Sequence, residues 1–196
     1  MHPYSTRYNQ VALPKLKEHT PYASAYEVPT IKKVSINVGL GDVLTNGKAV
    51  DEVTALIASI TGQKPVQTKA RKAIAGFKIR QNMVIGLKTT LRSERMNDFL
   101  MKLTDIALPR TRDFRGLPAT GITANGSLNI GIKDSSIFPE VSYGSIPHGL
   151  QITIVSTAKS LEESRLLYET MGFLFQAEGE EVKKKKSGKK SHYKRT

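Results

Sequence analysis

The sequence predicts an α+β sandwich of two layers, in which an antiparallel sheet carries helices on one face and leaves the other face open. Three observations predict it. Apolar and polar residues alternate over several short runs. Apolar residues recur at helical spacing over four longer ones. The resulting order is helix, strand, helix, strand, strand, helix, strand, strand, helix, which sets strands beside one another where they can pair antiparallel while helices cover one face.

Residues 4–18 show helical spacing through Tyr4, Tyr8, Val11, Ala12 and Leu16, with Pro14 inside the run to kink or divide it. Ile31 to Val38 reads as a strand: Val34, Ile36 and Val38 alternate with Lys33, Ser35 and Asn37. Residues 48–61 are expected to be helical, with Val50, Val53, Ile57 and Ile60 as the apolar stripe and Gly62 suited to the position after the last turn. Residues 65–69 read as a short strand with Val66 pointing inward, and Ile85 to Arg92 as its partner. Residues 70–82 lack a period and are expected to form the long loop at the tip of that hairpin.

Met96, Phe99, Leu100, Leu103 and Ala107 predict a helix over 94–108, stopped by Pro109. Residues 110–126 are loop-like. Leu128, Ile130 and Ile132 mark a strand, 133–149 are irregular, and Leu150, Ile152, Ile154 and Ser156 mark another. Ser160 and Glu163 have the spacing of a capping box opening a last helix, which Gly172 closes. Residues 1–178 are thus expected to form one domain and 179–196 a disordered basic tail.

Charge carries the functional signal. The chain has 30 Lys and Arg against 17 Asp and Glu, a net charge of +13. Such an excess favours a polyanionic partner. Eight basic residues and no acids lie in 183–196. Eight more lie between Val53 and Ser93 (Lys64, Lys69, Arg71, Lys72, Lys78, Arg80, Lys88 and Arg92), a window with no acid at all. A surface built only for solubility mixes both signs, so this window is read as facing an anion. A terminal basic run is as often simply solvated, so the tail is left open between RNA contact and plain disorder.

Enzymatic readings fare poorly. With no cysteine and four scattered histidines, no metal-ligand spacing is present. There is no Gly-x-Ser-x-Gly elbow. Gly39-Leu40-Gly41 follows a strand, yet Leu44 stands where a dinucleotide loop needs its third glycine. No cofactor is expected. The opening residues do not read as a secretory signal, and no apolar run has the length of a membrane span.

RNA fits better. If the strands pair as read, their polar side presents Lys33, Asn37, Lys88, Thr90 and Arg92, groups suited to phosphates, 2′-hydroxyls and base edges. That side carries no aromatics, so it is expected to read RNA shape and backbone rather than stacked bases. In the hairpin loop, Arg71, Lys72, Lys78 and Arg80 surround Phe77, which either stacks on a nucleotide or pins the loop. A free RNA-binding module, such as a chaperone or regulator, is one protein that such a surface would suit.

Several stretches carry a resemblance. Asn37-Val38-Gly39-Leu40-Gly41, Gly62-Gln63-Lys64-Pro65, Thr68-Lys69-Ala70-Arg71-Lys72, Ala75-Gly76-Phe77-Lys78-Ile79-Arg80, Thr90-Leu91-Arg92, Pro109 to Gly116 and Ile137-Phe138-Pro139-Glu140 are similar, in order and spacing, to the bacterial large-subunit ribosomal protein five family. The resemblance runs from about Tyr4 to Phe175. It implies a cytoplasmic ribosomal scaffold that binds 5S rRNA in the central protuberance, beside 23S-type rRNA and neighbouring large-subunit proteins. On the family pattern Asn37, Gln63, Lys64, Thr68 and Thr90 face RNA. Residues 73–78 approach the elbow of the P-site tRNA. Arg110, Arg112 and Arg115, with 143–149, touch a small-subunit head protein. The chain departs from the family at Ser93 and Asn82, where glycine is usual, and over Ile122 to Leu128.

Overall fold

The computed structural model describes residues 2–41, 47–77, 79–141 and 148–176. Lys78, residues 143–147 of the expected head-protein contact, and the tail expected from 179 lie outside the described residues.

Five strands form one antiparallel sheet: β1 Ile31–Gly39, β2 Val66–Lys69, β3 Val84–Leu91, β4 Leu128–Ile132 and β5 Leu150–Ser156, in the spatial order β2-β3-β1-β5-β4. Both hairpins pair strands adjacent in sequence, as the pattern predicts, and the first strand fills the centre. Helices α1 Pro3–Arg7, α2 Leu13–His19, α3 Gly47–Thr61, α4 Ser93–Lys102 and α5 Leu161–Thr170 back the sheet. Their Leu16, Ile57, Phe99, Leu100 and Leu167 close on Val34, Ile36, Leu87, Leu91, Ile130, Ile152 and Ile154 in one buried cluster. Burying each such side chain is worth roughly 1.5–3 kcal/mol.

Pro14 divides the first helix in a specific way. It has no N–H, and its ring excludes a close carbonyl four residues back. The turn Tyr8–Ala12 between α1 and α2 is widened, and the Leu13 amide reaches the Tyr8 carbonyl five residues back. The helix bends its ladder there without breaking. A second widened turn, Leu103–Ala107, continues α4 to Pro109. Ser160 caps α5 by accepting from the Glu163 amide at 3.2 Å, while the Glu163 carboxylate accepts from the Lys159 amide. Gly62 and Gly172 end α3 and α5 with φ +66° and +99°.

The inward orientation expected of Val66 is wrong. β2 is the edge strand, and Val66 pairs with Lys88, whose neighbour across β1 is Asn37. That register puts Val66 on the uncovered side, where it is 70% exposed. All four β2 residues are exposed, so an isolated apolar residue there carried no information on direction.

Candidate nucleic-acid interface

Strand alternation sends Val34, Ile36 and Val38 to the helices and Ser35 and Asn37 to the other side. The ladders then align the second set across the sheet. One row runs Gln151, Asn37, Lys88, Val66; the next runs Asn129, Thr153, Ser35, Thr90. Lys33 and Arg92 lie one step past the Val34–Leu91 pair. Asn37, Lys88 and Arg92 are exposed; Lys33 and Thr90 are half-buried. None of the five strands carries an Asp or Glu.

The C-terminus of α3 adds to this face. Thr61 Oγ1 donates to the Ile57 carbonyl at 2.7 Å and accepts from the Gln63 amide at 3.3 Å. This holds the turn at Gly62 and swings Gln63 toward β3, where its Nε2 lies 3.5 Å from the Thr90 carbonyl. Lys64 follows, exposed. Thr68 pairs with Gly86, and Lys69 follows a register shift opposite Val84; both are exposed. Gly86 admits Thr68 because a Cβ there would sit 3.0 Å from Thr68 Oγ1 and 2.9 Å from the Val38 carbonyl.

The structure therefore brings Asn37, Gln63, Lys88 and Thr90 together around the β1–β3 ladder, with Lys33, Lys64, Thr68, Lys69 and Arg92 at its margins. Sequence reasoning missed Gln151, Thr153 and Asn129, which extend the same face; Thr153 Oγ1 donates to Asn129 Oδ1 at 2.8 Å. The signal was present, since both residues of β5 alternate with Leu150, Ile152 and Ile154.

The hairpin tip has its own structure. Ile74 and Ile79 exchange backbone hydrogen bonds at 2.9 and 3.2 Å around a 3₁₀ turn, Ala75–Phe77. Ala70 and Met83 pair at its base. Arg71, Lys72 and Arg80 are exposed. Phe77 is 72% exposed, so it does not pin the loop. Arg110, Arg112 and Arg115 are exposed elsewhere, between the end of α4 and the bridge joining Leu117 to Phe175.

Among the described residues no group of three His, Asp or Glu side chains is placed to hold a metal, and no helix is long and apolar enough to cross a membrane. A helix-backed sheet whose strands hold no carboxylate and whose open side presents Lys88 defines the class of structural scaffold proteins suited to polyanions. The family described as Ribosomal protein L5 matches residues 24–80, and the C-terminus of the same ribosomal family matches 84–175. Large ribosomal subunit protein uL5 of Gloeothece citriformis is 48% identical over 172 residues, covering 87% of this chain and 96% of that protein. Its counterparts in Synechocystis sp. and Syntrophomonas wolfei are each 45% identical, over 174 and 170 residues, covering 88% and 86% of this chain and 97% and 96% of theirs. The chain belongs to the uL5 family: it is a large-subunit ribosomal protein, structural and not enzymatic.

Proposed function

We propose that the open face holds 5S rRNA and so helps build the central protuberance. In this reading Lys33, Lys64, Lys69, Lys88 and Arg92 meet phosphates, while Asn37, Gln63, Thr68 and Thr90 hydrogen-bond to riboses and base edges. The loop carrying Arg71, Lys72, Phe77, Lys78 and Arg80 reaches the P-site tRNA. Arg110, Arg112 and Arg115 meet a small-subunit head protein across the intersubunit bridge. 23S-type rRNA and neighbouring large-subunit proteins complete the surroundings, and the basic tail from 179 follows the single domain.

The observation that carries the reading is the row in which Asn37 and Lys88 stand opposite each other on a face whose strands hold no acid. Cations gathered on one surface displace counterions from RNA, so binding must weaken with salt. With five to eight phosphate contacts the slope of log affinity against log salt is about −4 to −7. A titration of purified protein with 5S rRNA between 50 and 200 mM salt tests it, and a flat response overturns it.

A further inference from the structure

Ile137-Phe138-Pro139-Glu140 lies against α4, in the helical layer. Phe138 is 1% exposed and stacks on Phe99 of α4, ring centroids 6.1 Å apart. Two residues on, Glu140 pairs with Lys102 in the last turn of α4. The Lys102 Nζ also donates to the Ile60 carbonyl at 3.1 Å. The two side chains are only 24% and 27% exposed, so solvent screens the pair incompletely.

Ile60 is in the last turn of α3, where carbonyls lack intrahelical partners and a cation is favoured. Nearby, the Ala58 carbonyl accepts from the Gly62 amide and the Ile57 carbonyl from the Thr61 hydroxyl. Three residues past Ile60 stands Gln63, beside Thr90. A continuous set of contacts thus runs from Glu140 through Lys102 to the end of α3, and from there to the open face.

We infer that Lys102 and Glu140 are positioning residues for RNA contact: Glu140 holds the Lys102 ammonium on the Ile60 carbonyl, which fixes where the turn after α3 places Gln63. The inference rests on the proposal that Gln63 faces RNA. Lys102 itself touches no RNA in this account. It acts on affinity by restricting Gln63 before binding, which lowers the ordering cost at the interface.

The test is a set of full-length variants measured against 5S rRNA at several salt concentrations: Lys102→Met, Lys102→Arg, Glu140→Gln and Gln63→Ala. Lys102→Met and Glu140→Gln are expected to weaken binding about 5-fold while leaving the salt slope unchanged, because no phosphate contact is lost. Lys102→Arg restores the affinity. In a Gln63→Ala background, Lys102→Met adds nothing. The side-chain amide resonance of Gln63 shifts in Lys102→Met without RNA present, which a loss of general stability does not produce. Glu140→Gln keeps the shape of the segment, so the test survives poor folding of the methionine variant. A slope shallower by about one unit in Lys102→Met makes Lys102 a direct phosphate contact and overturns the inference. Unchanged affinity in both Lys102→Met and Glu140→Gln, or full additivity with Gln63→Ala, overturns it too. If the unmodified chain ignores 5S rRNA, the reading beneath the inference fails, and the Gln63 resonance still reports whether the contacts hold that side chain.

Discussion

Asn37 and Lys88 face each other across β1 and β3 on the side opposite the helices. Directly opposed residues in an antiparallel pair have Cβ atoms about 4.5–5.5 Å apart. An amide and an ammonium therefore address the same few ångströms of any RNA laid on the sheet, one with paired donor and acceptor, the other with charge. Thr90 and Ser35 repeat the arrangement one row over.

The two residues are expected to fail differently when removed. Lys88→Ala makes the salt dependence of 5S rRNA binding shallower by about one unit, since one counterion fewer is released. Asn37→Ala weakens binding with the slope unchanged, because a neutral amide releases none. Both residues are exposed, so unfolding free energy moves by less than about 0.5 kcal/mol. Equal slopes for the wild-type chain and Lys88→Ala would remove Lys88 from the phosphate contacts.

The hairpin tip is expected to separate from the sheet in function. Phe77 is 72% exposed. Phe77→Ala is therefore expected to leave the melting temperature and 5S affinity unchanged. In assembled ribosomes it should weaken protection of P-site tRNA, with stacking on a base worth about 1–3 kcal/mol. Lost 5S binding would instead move the tip onto the 5S surface.

What could be read from the sequence follows from how each signal is made. Wherever one face of an element is buried, period and direction coincide, and Val34, Ile36 and Val38 point as expected. Val66 did not, because an edge strand beyond the helices has no buried side to enforce direction. Asn129, Gln151 and Thr153 went unnamed although their alternation was plain. β4 and β5 hold no cation to mark that face, as Lys33 marks it on β1 and Lys88 on β3. The bridge between Ile74 and Ile79 rests on backbone hydrogen bonds, which leave no mark in side-chain pattern.

Two departures from the family fall at informative backbone positions. Ser93 and Asn82 both have positive φ, +50° and +65°, and both stand where the family resemblance leads one to expect glycine. A side chain in this region is strained by about 1–2 kcal/mol, less for Asn. Ser93→Gly is expected to stabilise the fold by about 0.5–1 kcal/mol after the extra entropy of glycine in the unfolded chain is subtracted. Asn82→Gly should gain less. Urea titration of both variants checks the order, and a destabilised Ser93→Gly would show that the serine has a role the backbone angle does not reveal.

Gly126 is the opposite case. Its φ is +73°, and a Cβ there would meet Ser164 Oγ at 2.8 Å and the Ala158 carbonyl at 2.9 Å. Strain and overlap act together, so Gly126→Ala is expected to cost roughly 3 kcal/mol. A variant as stable as wild type in urea would mean that the β4 end of the sheet yields more easily than its packing indicates.

The Gly126 carbonyl also accepts from Tyr168 Oη at 2.8 Å, and from Ser156 Oγ at the same distance. Tyr168 is fully buried. Burial pushes its phenol up to about 12, against the pull of Ser156 and the Leu128 amide, which favour the ionised form. The unfolded chain loses this proton near pH 10. Between pH 10 and 12 the unfolded state therefore binds fewer protons than the folded one, and stability falls as pH rises. The contribution is complete below pH 10 and amounts to on the order of 2–3 kcal/mol lost by pH 12. Tyr4, whose phenol burial also raises, adds to the loss. Tyr168→Phe should cost about 1 kcal/mol at pH 7, with Ser156 still serving the carbonyl, and should flatten the decline above pH 10. Urea midpoints at pH 8, 10 and 11 measure both effects, and parallel declines for the two proteins would show that Tyr168 ionises no later in the folded chain than in the unfolded one.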